Sequence, residues 1–437
     1  MRDKIIGLLG RVTGKGGGKM RLNVGISLVL KGVGAVLALV FNWGIARLYG
    51  PLGSGLYGLT QTSILFIASA ALGGLDYVML RSVAADSKNG NLGHARGLIK
   101  TAITGALIIA LVVSLIIALL HNQAARWLGN ANMSTMLVVA APAAFGFAAM
   151  RLISFALRGG GNVLLSQAME GSITSSFTVV MLASLLLLPA LPPVWTIGVI
   201  YSISMLGTAA IGFSAYAKMR KGWPAAERVK LLPLYAMGLP VMGTVLTNQS
   251  TDWISLTATA TLHSAEAAGK LRVALQIMAI SNLIVGSFDG IIGPQIAAAW
   301  SVQDRARIAR IARQAILGTV SLLSPLFLIA LAFPGFMLGL FGPAFKSAGL
   351  ALQIIAVGYL IALSGGPAGT ILLMCGREKW TLAYAVAGTV LMLGLCAWLV
   401  PLYGVTGAAI TVAGTMIFRR IVAGCVVRFD LKIKIFG

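Results

Sequence analysis

The sequence predicts an all-α polytopic membrane protein: twelve transmembrane helices in two six-helix lobes related as parallel repeats, with both termini cytosolic. Three observations carry that reading. Of 437 residues, 58% are hydrophobic and 10% charged, against roughly 25% charged in an ordinary soluble protein, so there is too little polar sequence to cover a water-facing surface. Apolar runs of roughly 20 residues, the length that crosses a bilayer, recur from end to end. The two halves of the chain also resemble each other.

The twelve runs fall near 22–47, 56–80, 99–120, 135–157, 163–188, 194–216, 232–260, 269–297, 314–333, 348–374, 380–400 and 404–426. Alternating them from a cytosolic N-terminus places 27 of the 34 basic residues in internal segments and five outside, with Lys31 and Arg151 in the membrane. That asymmetry is what the positive-inside rule demands, and shifting one span would scramble it. The internal set includes Arg419 and Arg420, assigned to the C-terminal cytosolic segment. On this division the net charge of +23 is almost all orientation signal and attraction to anionic lipid headgroups. The membrane interior keeps only Lys31 and Arg151 against Asp76, Glu170, Asp252 and Asp289. Nothing in it calls for nucleic acid.

The segment from Gly55 to Leu98, running through Asp76 and Ala84-Ala85, has a counterpart from Gly269 to Ile308 with Asp289 and Ala298-Ala299. Six spans per half preserve orientation, giving repeats about an axis along the membrane normal. The division is a basic cytosolic tail (1–21), an N-lobe of spans 1–6 (22–231), a C-lobe of spans 7–12 (232–427) and a basic C-terminal tail (428–437). The first tail reads as uncleaved, because the apolar run behind it is too long for a signal peptide. Its Ile5, Ile6, Leu8 and Leu9 form a patch suited to a membrane surface. The strictly alternating 428–436 stretch reads as an interfacial tail.

Cys375, Cys396 and Cys425 sit among apolar residues without metal or redox spacing, and His94, His121 and His263 are far apart, so no metal site and no cofactor is expected. Gly10–Lys19 is glycine-rich but lacks the spacing and the following hydroxyl of a phosphate loop. No external connection exceeds about fifteen residues, too little for an ordered catalytic loop. An enzyme is not expected.

Polar side chains in a membrane mark pathways, because each is costly against lipid. In span 7, Thr244, Thr247, Asn248, Thr251, Asp252 and Ser255 follow helical spacing as one stripe, which is either inter-helix hydrogen-bond glue or the wall of a wet cavity. Span 8 adds Arg272, Gln276, Asn282 and Asp289. Spans 1 and 2 add Lys31, Asn42, Gln61 and Asp76, with Arg81 at the inner mouth. Polarity thus concentrates in corresponding spans of the two repeats, as a central path between lobes requires. Arg151 and Glu170 lie at similar distances from the turn at 158–162, so they are expected to pair with each other, a gating role being the alternative. Lys31 either faces the cavity or snorkels to the interface.

Ala46-Arg47-Leu48-Tyr49-Gly50-Pro51, Gly55-Leu56-Tyr57-Gly58-Leu59, Gly74-Leu75-Asp76 and Arg81 resemble the signature across spans 1 and 2 of bacterial polysaccharide flippases. These are the Wzx-type polysaccharide transporters of the multidrug/oligosaccharidyl-lipid/polysaccharide exporter (MOP) superfamily. Asp252, Gly269, Pro294, Phe341-Gly342-Pro343-Ala344-Phe345 and Leu402-Tyr403-Gly404-Val405-Thr406-Gly407-Ala408-Ala409 extend the likeness over nearly the whole chain. The resemblance implies a V-shaped, alternating-access transporter in the bacterial cytoplasmic membrane. It would carry a polyprenyl-pyrophosphate-linked oligosaccharide outward for surface polysaccharide assembly, beside polymerase or ligase machinery and anionic lipids, with spans 1, 2, 7 and 8 lining the cavity. A cation-coupled exporter of drugs or organic solutes, using Asp76, Asp252 or Asp289, is the alternative.

Overall fold

The computed structural model describes residues 17–128 and 130–435; the amphipathic patch at Ile5–Leu9 lies outside the described residues. Long helices account for almost everything described. They are α1 (Gly17–Leu72), α2 (Leu75–Asn89), α3 (Leu92–Leu119), α4 (His121–Trp127), α5 (Ala131–Gly159), α6 (Val163–Leu187) and α7 (Thr196–Met219), followed by α8 (Leu231–Leu262), α9 (Ala265–Ser301), α10 (Arg305–Ala332), α11 (Pro334–Gly339), α12 (Gly349–Ser364), α13 (Ala368–Met374) and α14 (Glu378–Phe429).

Among the described residues, ten helices are long and apolar enough to span a membrane, and two of these are each two spans. At about 1.5 Å per residue, the 56 residues of α1 and the 52 of α14 would run roughly 80 Å if straight, more than twice the hydrocarbon core. They do not run straight. Phe41 and Tyr57, about 24 Å apart on an ideal helix, stack edge-to-face with centroids 5.4 Å apart. In α14, Arg419 bonds the carbonyl of Ala385. Both reversals occur in the same tripeptide, Leu48-Tyr49-Gly50 and Leu402-Tyr403-Gly404, with Gly50 at φ 64° and Gly404 at φ 54°, a region open to glycine because it lacks Cβ. Each hairpin thus has two arms, and twelve spans result.

The N-lobe is built on α5, whose Ala140, Ala143, Ala144 and Ala148 are fully buried. Small residues let its neighbours approach: a Cβ on Gly146 would meet Met205, and one on Gly198 would meet Val139 of α5. Close backbone approach is the main packing force available inside lipid. Span 2 is shorter than its apolar pattern suggests. It ends at Leu72, and Gly73 and Gly74, at φ 57° and 76°, turn the chain into the separate helix α2, which carries Asp76 and Arg81. Its repeat counterpart α9 runs on unbroken through Asp289. The predicted equivalence of Asp76 and Asp289 therefore ends in different structures.

The lobes meet along two seams. The second arm of α1 packs against α8 over its length: Trp253 Nε1 donates to Ser63 Oγ (3.1 Å), Gln249 Nε2 to Ser69 Oγ (3.0 Å), and Phe66 stacks on Trp253 at 4.6 Å. At the basic-loop end, a Cβ on Gly74 would strike the Gly238 carbonyl, and one on Gly238 the Gly73 carbonyl. The seam between α1 and α9 is joined at the opposite end. A Cβ on Gly55 would strike the Ala265 carbonyl and one on Gly269 the Pro51 carbonyl, while Trp43 Nε1 and Arg47 Nε both donate to the Leu340 carbonyl at 2.8 Å.

A second apolar core fills the basic-loop end of the C-lobe. The alternating tail contributes to it: Leu431, Ile433 and Ile435 are buried with Ile308, Ile311 and Leu372, and Lys432 and Lys434 point outward.

Candidate functional site

Asp76 is buried and Asp289 lines a cavity, whereas Glu170 and Asp252 keep exposed surface, and the partners of these acids differ from those expected. Arg151 does not pair with Glu170. Its Nε donates to Asp76 Oδ2 at 2.8 Å, with Asp76 almost fully buried. Glu170 pairs instead with Arg158, whose Nη2 lies 2.6 Å from Glu170 Oε1. Ser154 Oγ donates to the same carboxylate oxygen at 2.7 Å, and Arg158 Nε donates to Ser166 at 3.0 Å. Two turns apart on α5, Arg151 and Arg158 each place a guanidinium 4.8 Å from the centroid of the Phe155 ring. Depth matching along one hairpin failed for two reasons. A third helix, α2, brought a carboxylate to Arg151. A π-helical turn at Met169–Ile173 carries Glu170, which the long Arg158 side chain reaches from nearer the turn.

The C-lobe is arranged differently. A cavity of about 470 Å³ opens between α8, α9, α10, α12, α13 and α14, with Arg419, Arg420, Asp289, Asn248, Thr244 and Tyr384 among its lining residues. Arg419 and Arg420 are not in a cytosolic segment: they lie nine or ten residues inside the end of α14, about 14 Å along the helix. Arg419 donates to Thr251 Oγ1 and Thr389 Oγ1, both at 3.0 Å, and to the Ala385 carbonyl. Arg420 donates to the Gly366 carbonyl. Among the described residues neither makes a salt bridge, unlike Arg151 and Arg158.

A third arginine closes the far end. Arg272 sits where α9 meets both arms of α1, donating to Asn42 Oδ1 (3.0 Å) and Gln61 Oε1, with its guanidinium 4.9 Å from the Tyr57 ring centroid. Gly58 provides the room, since a Cβ there would strike the Arg272 side chain. Asn42, Gln61 and Arg272, three polar residues far apart in sequence, thus form one cluster between the lobes.

The α8 stripe divides. Thr244 and Asn248 line the cavity and Thr251 holds Arg419. Asp252 is exposed and makes no salt bridge among the described residues. Thr247 bonds its own helix at Gly243. Ser255 does not line a cavity: it is fully buried, and its hydroxyl returns to the Asp252 carbonyl. Asn282 donates to Tyr359 (3.4 Å), Gln276 is partly buried, and Lys31 and Arg81 are exposed.

The interior is therefore not the acid-rich space that the sequence assignment implied. Two carboxylates are neutralised by Arg151 and Arg158, and three arginines are held by neutral groups. The signal for Arg419 and Arg420 was present: Ile417-Phe418 precede them and Ile421-Val422 follow, so the pair interrupts an apolar run instead of ending it.

No family model and no curated protein matches the chain. Among solved structures, it is similar to an inward-facing multidrug-resistance transporter of the MATE family and MOP superfamily (TM-score 0.77, 14% identity, covering 91% of this chain and 94% of that one). It is also similar to the lipid II flippase MurJ in an inward closed conformation (0.71, 12%, 92% and 87%). A third is a MOP-superfamily transporter from Pyrococcus furiosus (0.69, 14%, 95% and 96%). The fold is that of MOP-superfamily transporters, and at this identity the likeness concerns fold alone.

Proposed function

We propose that the chain is an alternating-access transporter of the bacterial cytoplasmic membrane that flips a polyprenyl-pyrophosphate-linked oligosaccharide outward for surface polysaccharide assembly. Arg419 and Arg420 carry this reading: two cations set in a membrane-embedded cavity and held by hydroxyl and carbonyl oxygens. A guanidinium matches phosphate oxygens bidentately, and with Asp289 in the same cavity but no salt bridge to either arginine among the described residues, their charge is available to an incoming anion. The lipid II flippase among the structural neighbours supports a lipid-linked cargo. A dianionic headgroup moving outward across an interior-negative membrane would gain about 4.6 kcal/mol per 100 mV, so the potential itself is a sufficient drive. Reopening to the outside would break the Gly55–Gly269 contact and free Arg272 from Asn42 and Gln61. Polymerase or ligase machinery would receive the cargo on the far side.

One observation favours a second reading, cation-coupled export of an organic solute: Asp252 is exposed and without a salt bridge. Proteoliposomes separate the two. The flippase reading expects a labelled polyprenyl-pyrophosphate oligosaccharide to reach the opposite leaflet with wild-type protein and with Asp252→Asn, and not with Arg419→Gln/Arg420→Gln. No flipping by wild-type protein, together with cation-coupled organic-solute transport that Asp252→Asn abolishes, would instead select the exporter.

A further inference from the structure

At the basic-loop end of the C-lobe, the first turns of α10 and the C-terminal tail form a cleft of about 430 Å³ lined by Arg305, Arg310, Arg313, Lys432 and Lys434 with Ala306 and Ala309. Five cations converge here without a salt-bridge partner among the described residues. The nearest acids in sequence are committed elsewhere. Asp304 caps α10 by accepting from the Arg307 N–H at 2.9 Å, and Asp430 is paired with Arg377 at 2.6 Å. Topology asks for basic residues at this end of the protein, but not for their convergence, since like charges brought together repel.

The convergence is built. Burial of Leu431, Ile433 and Ile435 fixes the tail against the second core, and Arg313 Nε donates to the Ile435 carbonyl. Lys432 sits at φ 54°, in the left-handed region where glycine would be unstrained. Lys434 borders the cleft and also a neighbouring groove of about 460 Å³ between α12 and α14. That groove is lined largely by apolar side chains such as Ile361, Ile417 and Ile421, with Arg428 at its rim. A cationic cleft that runs into an apolar groove at the end of a membrane span has the polarity of one kind of ligand.

We propose that this is a binding site for an anionic membrane phospholipid, with its phosphate headgroup in the α10–tail cleft and its upper acyl chain in the α12–α14 groove. Charge complementarity selects the anion, and the adjoining apolar groove selects a lipid over free phosphate. Arg420 borders both this groove and the cargo cavity, whereas the headgroup cleft shares no residue with that cavity.

Native mass spectrometry of the full chain, released from nanodiscs of phosphatidylcholine doped with phosphatidylglycerol, tests it. Wild type retains phosphatidylglycerol in preference to phosphatidylcholine. Each basic residue near an anionic surface is worth about fivefold in affinity, so Arg310→Gln/Lys434→Gln should lose about 25-fold. Lys218→Gln/Lys221→Gln, which removes equal charge from another basic loop outside this cleft, should lose far less. Lys432→Gly removes one charge and relieves the backbone, so it folds at least as well and loses about fivefold. Equal loss in the Lys218/Lys221 control, no loss in the cleft variants, or displacement of the lipid by excess inorganic phosphate overturns the proposal.

Discussion

The N-lobe and the C-lobe place arginines in the membrane and do opposite things with them. In the N-lobe, Arg151 meets Asp76 and Arg158 meets Glu170, with Phe155 between the two guanidinium groups and no cavity among the principal ones bordering them. In the C-lobe, Arg419 and Arg420 face 470 Å³ of open volume and are held by Thr251, Thr389 and main-chain carbonyls. A charge already matched by a carboxylate braces helices. A charge held by neutral oxygens keeps its field for something that arrives. The two repeats share a frame but not an electrostatic task, and binding is expected to reside in the C-lobe.

Breaking a brace should have the largest effect. Removing one partner of a buried pair strands the other charge and costs about 3–5 kcal/mol. Asp76→Asn or Arg151→Met should therefore sharply lower the yield of folded protein and its melting temperature in detergent. Asp76→Leu/Arg151→Met, which removes both charges, should recover most of that stability. If the single variants melt like wild type, the N-lobe pair is not a brace and the comparison fails.

Arg419→Gln/Arg420→Gln should act the other way, on transport instead of stability. Losing a charge-assisted hydrogen bond to a ligand costs about 1.5–3 kcal/mol, so each single substitution should weaken cargo affinity by about ten- to 150-fold. Because neither arginine is salt-bridged among the described residues, although Asp289 shares the cavity with them, melting should shift less than in the N-lobe variants. A melting loss as large as that of Arg151→Met would make these arginines structural and remove the C-lobe site.

The spans were legible because a bilayer imposes length and loop charge together: a twenty-residue apolar run with basic flanks has few alternative readings. The concentration of polar groups in spans 1, 2, 7 and 8 also reads through to real neighbours, since Asn42, Gln61 and Arg272 meet across the lobes. Partner choice was not legible. Asp76 found Arg151 because two glycines turn α2 away from span 2, and Glu170 found Arg158 through a π-helical turn, both being backbone events that periodicity does not encode. Arg419 and Arg420 were misplaced because counting charges toward a helix end treats any terminal basic residue as a loop residue, although the apolar run continues past them.

The smallest test removes one hydroxyl from each lobe. Ser154 in the N-lobe donates to the Glu170 carboxylate, and Thr389 in the C-lobe accepts from the Arg419 guanidinium, both single hydrogen bonds to a charged group. Chemically the deletions Ser154→Ala and Thr389→Val are close, each removing one hydrogen bond from a charged group that keeps other partners, yet they should be read out differently. Ser154→Ala should lower melting and leave the cargo affinity of the folded protein unchanged, since Glu170 keeps Arg158. Thr389→Val should leave melting nearly unchanged, because Arg419 retains Thr251 and the Ala385 carbonyl. It should nonetheless weaken cargo affinity about fivefold as the guanidinium loses one of the contacts that aim it. Identical behaviour of the two variants, in either assay, would mean that the lobes do not divide bracing from binding.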